Sequence, residues 1–458
     1  MKYLSTRNSK LRKNFKEVVM HGLSADGGLY LPESWPKVGL NNLKNLQYDE
    51  VAFEIIFPYC NDSISEESLR SILINTYKKF HHPKTAPLIS LTKNKHILEL
   101  FYGPTFAFKD YALQFLGNIF EYFLKEEQKQ TIIIGATSGD TGSAAIEACK
   151  NKSNMKLFIL YPHNKISEVQ RRQMTSVKDL NTHCLAIKGN FDECQKIIKN
   201  LFVDKDLLLK TNIAAVNSIN WLRIIAQTVY FYWASLQIEE NLGRLNFIVP
   251  SGNFGNVYAA SVAKRMGLPI NKLHVVTNSN DILHRVIDSG DMTIREVQKT
   301  YSPSMDIQIS SNFERQLFES VGCDSNKNNL IMNEFIGNGS FKLDQDAINH
   351  LKENYISSTV DDKTTLKTIK YYYDNYQYLS DPHTATGLSI LDKIDLSEEH
   401  YISLACAHPS KFSEALIKSI GKEPEYPDSL KNIFEEKENF TILDNDINKI
   451  KKYITKFI

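Results

Sequence analysis

Between His96 and about Leu283 the sequence switches repeatedly between short apolar, β-branched runs and stretches with helical periodicity. Leu157–Tyr161, Cys184–Ile187, Ile213–Val216, Phe247–Val249 and Leu273–Thr277 read as strands, each followed by a helical pattern. Strands separated by helices pair most readily in parallel, because a crossover is long enough to bring the chain back to the same end of the sheet. The alternation therefore predicts a doubly wound, mainly parallel α/β architecture. Residues 1 to about 90 are mixed, with helical patterns at Tyr48–Tyr59 and Glu66–Phe80, and Pro83 and Pro87 mark a boundary. Residues from about 285 to 378 are more polar and helical, and read as an insertion before a strand near Tyr401–Ala405. Residues from about 413 to 458 read as a C-terminal helical segment. Within it Ile447, Ile450, Ile454 and Phe457 share one helical face suited to packing.

Two turns in this frame join a strand directly to a helix. Thr131-Ile-Ile-Ile134 opens into Gly135-Ala-Thr-Ser-Gly-Asp-Thr-Gly142, and a helix follows through Ala145 and Ala148. Such a turn presents backbone N–H groups and hydroxyls to an anion. No Gly-Lys-Ser/Thr follows, so it is not a Walker A loop. The spacing of Gly135, Gly139 and Gly142 is not that of a dinucleotide fingerprint either. The second turn is Pro250-Ser-Gly-Asn-Phe-Gly-Asn256, between the Asn246–Val249 strand and a helix through Val257, Ala260 and Ala263. Gly252 and Gly255 allow close backbone approach, and Ser251, Asn253 and Asn256 offer side-chain partners. Each turn alone could equally be an ordinary tight βα connection.

The third feature is a lysine. Phe101-Tyr-Gly-Pro-Thr-Phe-Ala-Phe-Lys109-Asp110 leads into apolar residues at helical spacing: Ala112, Phe115, Leu116, Ile119, Phe120 and Phe123. Lys109 thus stands where a helix begins, the end at which the helix dipole disfavours a cation. Among Phe101, Phe106 and Phe108 it is expected to be partly desolvated, which favours the neutral, nucleophilic amine. Alone it could be a lysine lying over aromatic surface. Together with two anion-cradling turns it points to a phosphorylated carbonyl cofactor. Pyridoxal phosphate (PLP) has an aldehyde for the lysine and a phosphate for a glycine loop.

Pro104-Thr-Phe-Ala-Phe-Lys109-Asp, Gly135-Ala-Thr-Ser-Gly-Asp-Thr-Gly142 and Pro250-Ser-Gly-Asn-Phe-Gly-Asn256 resemble three signatures of the threonine synthase family, in the tryptophan-synthase-β (fold-type II) group of PLP enzymes. Further stretches carry the same resemblance: Tyr3-Leu-Ser-Thr-Arg7, Gly22-Leu-Ser-Ala-Asp-Gly-Gly-Leu-Tyr-Leu-Pro32, Pro303-Ser-Met-Asp-Ile307, Ser311-Asn-Phe-Glu-Arg315, Asp381-Pro-His-Thr-Ala-Thr-Gly387 and Ala407-His-Pro-Ser-Lys-Phe412. The resemblance implies a small N-terminal domain over residues 1–90 and a PLP-dependent catalytic domain over 91–458. It implies conversion of O-phospho-L-homoserine and water into L-threonine and phosphate. By the family pattern Lys109 holds PLP covalently and serves as base and acid. Gly252, Asn253, Phe254, Gly255 and Asn256 cradle the PLP phosphate. Thr137, Ser138, Gly139 and Thr141 face the substrate, and Asp140 stands beside the PLP 3′-oxygen, where sister enzymes have asparagine. Lys411, Arg7 and Arg315 are candidate cations for the substrate phosphate. His383 and His408 are read as supporting residues. Cys406 departs from the family's threonine opposite the PLP ring nitrogen, with Ser403 as the alternative partner.

The global numbers fit a cytoplasmic enzyme. The 458 residues are ample for two or three domains. Lys and Arg total 54 against 53 Asp and Glu, so no charge excess points to nucleic acid or an anionic membrane. No apolar run approaches the roughly 18 residues of a membrane span. The N-terminus lacks a secretory apolar core, and Ser5-Thr-Arg7 argues against a cleaved transit peptide. The six cysteines form no Cys-x-x-Cys and no zinc-like spacing, so they are expected to be reduced, mostly buried and metal-free. Two alternatives share most of these motifs: a phospho-lyase that releases an oxo acid, and a PLP-binding homologue without catalysis.

Overall fold

The computed structural model describes residues 1–137, 139–202, 204–209, 211–215, 218–238, 243–394 and 398–458. Along the chain the first strands are β1 (Tyr3–Ser5), β2 (Asn8–Lys13), β3 (Tyr30–Pro32), β4 (Leu88–Ser90) and β5 (Lys95–Glu99). Next come β6 (Thr131–Ala136), β7 (Met155–Pro162), β8 (Thr182–Lys188) and β9 (Asn212–Ala215). Then follow β10 (Leu245–Pro250), β11 (Ile270–Thr277), β12 (Tyr355–Thr359), β13 (His400–Ala405) and β14 (Thr441–Asp444). Two compact units result. One comprises Met1–Ala112 and Ser218–Pro424, the other Leu113–Asn217 and Glu425–Ile458.

The second unit is built on a five-stranded sheet in the order β14-β8-β7-β6-β9, parallel throughout. Its central strands β6, β7 and β8 are buried along most of their length, as a parallel sheet covered on both faces requires. Ile132, Ile134, Phe158, Leu160, Leu185 and Ile187 form the core with Cys194, Ile197 and Leu201 of the Phe191–Phe202 helix. Ile450 and Ile454 of the Ile447–Ile454 helix are buried there too, with Ile447 and Phe457 packed alongside. The apolar face expected near the C-terminus thus completes this core.

The first unit holds a six-stranded sheet in the order β12-β11-β10-β13-β5-β4, parallel except for the β4–β5 pair at one edge. A small antiparallel sheet, β2-β1-β3, belongs to its N-terminal part. Ile97, Ile248, Val276 and Ala405 of the large sheet pack with Leu388 and Leu391 of the Pro382–Asp392 helix. That helix lies close: a Cβ on Gly387 would sit 2.6 Å from Ser403 Oγ and 3.1 Å from Pro250 Cγ.

The region read as a helical insertion also contains β12, and the C-terminal segment read as helical also contains β14. Both are edge strands with one neighbour and few buried residues. They therefore show neither an alternating nor a continuous apolar pattern. Among the described residues no helix is long and apolar enough to cross a membrane.

One consequence of the strand order positions the site. β10, β13 and β5 are parallel neighbours, so their carboxyl ends share one edge of the sheet. That edge is where ligands bind in open α/β sheets. It brings together the segments after Pro250, after Ala405 and after Glu99.

Candidate active site

The lysine loop is fastened to the segment after β13 by backbone hydrogen bonds. Phe108 N–H donates to the Cys406 carbonyl at 2.8 Å, His408 N–H donates to the Phe106 carbonyl at 3.0 Å, and Ala107 bridges Ala407. Phe106 sits at φ +60°, a left-handed conformation that turns the chain into the Asp110–Glu126 helix. Asp110 braces the turn, accepting from Thr105 N–H and Thr105 Oγ at 2.8 Å each. The Phe106 ring stacks on His81 and meets His408 edge-on, and Phe101 also turns to His408. Of the three expected aromatic neighbours, Phe108 is the one whose ring lies beside the ammonium, 5.7 Å from Lys109 Nζ. Lys109 Nζ donates to Ser304 Oγ at 3.3 Å.

The turn after β10 forms an anion cradle. Phe254, buried and at φ +60°, caps the Gly255–Met266 helix in a left-handed conformation. Among the described residues none accepts from the amides of Gly252, Asn253, Phe254, Gly255 or Asn256. These five N–H groups at a helix N-terminus suit a phosphate. The loop's carbonyls are tied back from behind. Ser310 Oγ donates to Gly252 O at 2.7 Å, and Asn312 N and Nδ2 donate to Asn253 O at 3.1 and 3.0 Å. The side chains play a different part from the one expected. Asn256 Oδ1 accepts from Ser251 Oγ, its Nδ2 donates to Pro250 O, and Asn253 Oδ1 accepts from Ser311 Oγ. They brace the loop and leave its amides available to an anion. A Cβ on Gly252 would come within 2.8 Å of Ile307 Cγ1 and 3.1 Å of Ser304 O. The cradle and the turn that meets Lys109 are therefore in contact through Ser304, a fit to a cofactor carrying both a phosphate and an aldehyde.

Cys406 is 7% exposed. Its N–H donates to Thr384 Oγ1 at 2.8 Å. Burial pushes the Tyr230 hydroxyl far above the usual tyrosine range, and nearby Cys406 pushes it further. Ser403, the alternative ring partner, is enclosed beneath Gly387 and Pro250. That sets it back from the sheet edge, and Cys406 remains the candidate ring partner. A thiol is a weak neutral donor like the familiar hydroxyl. Cys406→Thr is therefore expected to keep turnover within about threefold. Cys406→Asp is expected to shift the cofactor absorbance and lower the threonine yield, because a carboxylate favours a protonated ring nitrogen. Absorbance spectra and product ratios check both; a normal Cys406→Asp enzyme would take this residue out of the site.

The candidate cations divide. Arg7 is bound bidentately by Glu314, with Nε to Oε1 and Nη2 to Oε2 both at 2.9 Å. Arg315 is fully buried and donates to the Tyr30 carbonyl, Asn312 Oδ1 and the Ile219 carbonyl, with its plane near the Trp221 ring. Both guanidinia thus brace the protein, Arg7 with Nε and Nη2 on Glu314 and Arg315 wholly enclosed. Arg315→Leu would strand two buried carbonyls at about 1–3 kcal/mol each. It is expected to lower the unfolding free energy by roughly 3 kcal/mol with an unchanged KM. A raised KM at unchanged stability would restore Arg315 to the substrate. Lys411 is buried and donates Nζ to Thr105 O at 2.8 Å, next to the lysine loop. Burial, aided by Lys411, holds the His408 imidazole down at about 4, so it is neutral in the site. The sequence reading did not single out Arg223, which is 4% exposed on the Trp221–Leu236 helix. Burial lowers it to about 10, against the opposing pull of Tyr230. A lone arginine in an almost wholly apolar helical run was the available signal.

The other expected loop belongs to the second unit. Gly139 has φ +144°, and a Cβ there would lie 2.4 Å from the Gln170 side chain, so the position requires glycine. Thr137 Oγ1 accepts from Gly139 N–H at 2.9 Å and Gly142 N–H at 2.8 Å. Asp140, in the first turn of the Asp140–Cys149 helix, accepts from Gln170 Nε2 at 2.9 Å. Ser138 lies outside the described residues. Thr137 thus shapes the turn with the hydroxyl expected to meet substrate. No group of three or more His, Cys, Asp and Glu suited to a metal occurs among the described residues.

A lysine and a helix-N-terminal phosphate cradle at the carboxyl edge of a parallel sheet define a PLP-dependent enzyme of fold-type II. Family models agree along the chain. The threonine synthase N terminus matches residues 2–77, the pyridoxal-phosphate dependent enzyme family 87–327, and the threonine synthase C-terminal family 384–454. A Pseudomonas aeruginosa protein named threonine synthase is 42% identical over 461 residues, covering 100% of this chain and 98% of that protein. The crystal structure of PLP-bound threonine synthase from Brucella melitensis superposes with a TM-score of 0.96 at 40% identity, over 99% of this chain and 98% of that one. Yeast threonine synthase follows at 0.94 and 38%, with 99% and 98% covered. The chain belongs to the threonine synthase family. It is a PLP-dependent lyase of amino-acid biosynthesis that acts on a small molecule.

Proposed function

We propose that the chain converts O-phospho-L-homoserine and water into L-threonine and phosphate, with Lys109 as its catalytic residue. The observation that carries the assignment of Lys109 is Ser304, whose hydroxyl meets Lys109 Nζ and whose backbone abuts Gly252 of the cradle. PLP, when bound, supplies an aldehyde for amines and an electron-withdrawing ring that makes the substrate's α- and β-protons removable. The chain's residues do the rest. The amides of Gly252–Asn256 hold the cofactor phosphate, and Cys406 faces the ring nitrogen. Lys109 takes and returns protons at the substrate's Cα and Cβ. The turn of Thr137, Ser138, Gly139 and Thr141 binds the substrate carboxylate, with Asp140 beside the ring oxygen. Lys411, whose Nζ lies against the Thr105 carbonyl of the lysine loop, serves the substrate phosphate.

The break between the family matches at residues 77 and 87 supports a domain boundary near residue 90. The balanced charge and the reduced cysteines support a cytoplasmic enzyme with no nucleic-acid or membrane partner. All six cysteines are free and five are buried. Incubation with O-phospho-L-homoserine should release threonine and phosphate in equal amounts. An oxo acid in place of threonine would make the chain a phospho-lyase instead.

A further inference from the structure

We propose that Ser304 is a second catalytic residue, a hydroxyl that orients the Lys109 amine, and that the buried Asp381–His383 pair positions it. The proposal rests on the assignment of Lys109 as the cofactor lysine. Ser304 lies in the short turn Pro303–Met305. Its Oγ accepts from Lys109 Nζ at 3.3 Å, and its backbone N–H donates to His383 Nε2 at 3.1 Å. A backbone amide can only donate, so His383 Nε2 carries a lone pair and the ring proton is on Nδ1. There it faces Asp381 Oδ1 at 2.8 Å. Asp381 is fully buried and also accepts from the His383 N–H at 2.9 Å, the Ala407 N–H at 3.3 Å and the Thr384 hydroxyl. Thr384 Oγ1 in turn accepts from the Cys406 N–H.

One buried carboxylate therefore anchors both the turn that carries Ser304 and the strand end that carries Cys406. The geometry explains why a neutral imidazole is enclosed here: no proton transfer passes through it, and its task is to fix the Ser304 backbone. Lys109 must present a lone pair to a substrate carbon and later an N–H to the same face. A hydroxyl accepting one N–H limits the rotation of the amine and aims what remains. The proton removed from carbon resides on Lys109 and returns from it, and Ser304 keeps its own.

The test compares Ser304→Ala, Ser304→Thr, His383→Leu and His383→Gln. The rate at which apoenzyme captures PLP covalently is followed by visible absorbance. Pyridoxine 5′-phosphate, which lacks the aldehyde, reads the integrity of the pocket without the amine. Ser304→Ala and His383→Leu are expected to slow capture and turnover at least tenfold, with pyridoxine 5′-phosphate affinity within twofold and KM little changed. Ser304→Thr should recover most of the loss. His383→Gln, whose amide oxygen can accept from Ser304 N–H, should recover part. Capture and turnover within twofold of the parent in Ser304→Ala would overturn the proposal. So would a loss of pyridoxine 5′-phosphate affinity in step with the rates, which would make the turn mere packing. The assignment of Lys109 is checked separately, by borohydride reduction of the parent enzyme and peptide mapping. A label on another lysine refutes that assignment whatever the Ser304 variants do.

Discussion

Lys109→Ala is expected to form no measurable threonine and to lack the visible absorbance of lysine-bound cofactor. The substitution removes the covalent attachment and the proton carrier at once. Together these place the loss at about four orders of magnitude or more, on the scale of deleting a covalent catalyst. The fold should survive. The lysine loop is held by the Phe108–Cys406 and His408–Phe106 backbone bonds and by Asp110, none of which involves the lysine side chain. The variant should therefore keep its far-UV circular dichroism and still bind pyridoxine 5′-phosphate. A variant that remained yellow and reducible by borohydride would show that another amine holds the cofactor.

What the sequence revealed of this site follows from where its chemistry is local. The cradle is a strand, a Gly-rich turn and a helix start within a dozen residues, so Pro250–Asn256 is legible from turn chemistry alone. The same holds for Gly135–Gly142, and Lys109 stands out by its place ahead of a strongly periodic helix. The central parallel strands β6, β7 and β10 were legible because they are apolar on both faces. The short edge strands β12 and β14 were not, because their few buried residues set no period. The bracing partners of Arg7 and Arg315 were hidden for a different reason. A basic residue in a motif looks available until its partner is known, and Arg7 finds Glu314 a separation of 307 positions away. Arg315 spends its donors on the carbonyls of Tyr30 and Ile219, 285 and 96 positions away. The Ser304–His383 contact spans 79 positions and uses a backbone amide, which no side-chain pattern records. Asn253 and Asn256 show the converse: the residue types were read correctly, but polar side chains beside an anion loop can brace it instead of contacting the anion.

Gly255→Asp should release the cofactor through its phosphate and leave the fold in place. Gly255 has no left-handed backbone to lose, and an added Cβ would meet the end of the Asn312 side chain at 3.3 Å and Gln227 Oε1 at 3.9 Å. Gly255→Ala is therefore expected to hold PLP within about tenfold of the parent. Aspartate adds a negative charge to a cradle whose attraction for phosphate comes from amide dipoles. Two unit charges about 5 Å apart at an effective dielectric constant of about 20 repel by roughly 3 kcal/mol. That corresponds to about two orders of magnitude in affinity, and more for a dianion. The decisive comparison is with pyridoxal, which has the aldehyde but no phosphate. Gly255→Asp should weaken PLP at least a hundredfold and pyridoxal only a few-fold, as read by absorbance titration of the apoenzyme. Gly252→Ala should behave otherwise, since its Cβ would press on Ile307 and on the Ser304 backbone. It should weaken both ligands together by distorting the turn that meets Lys109. Equal losses of PLP and pyridoxal in Gly255→Asp would mean that the amides of Gly252–Asn256 do not hold the phosphate.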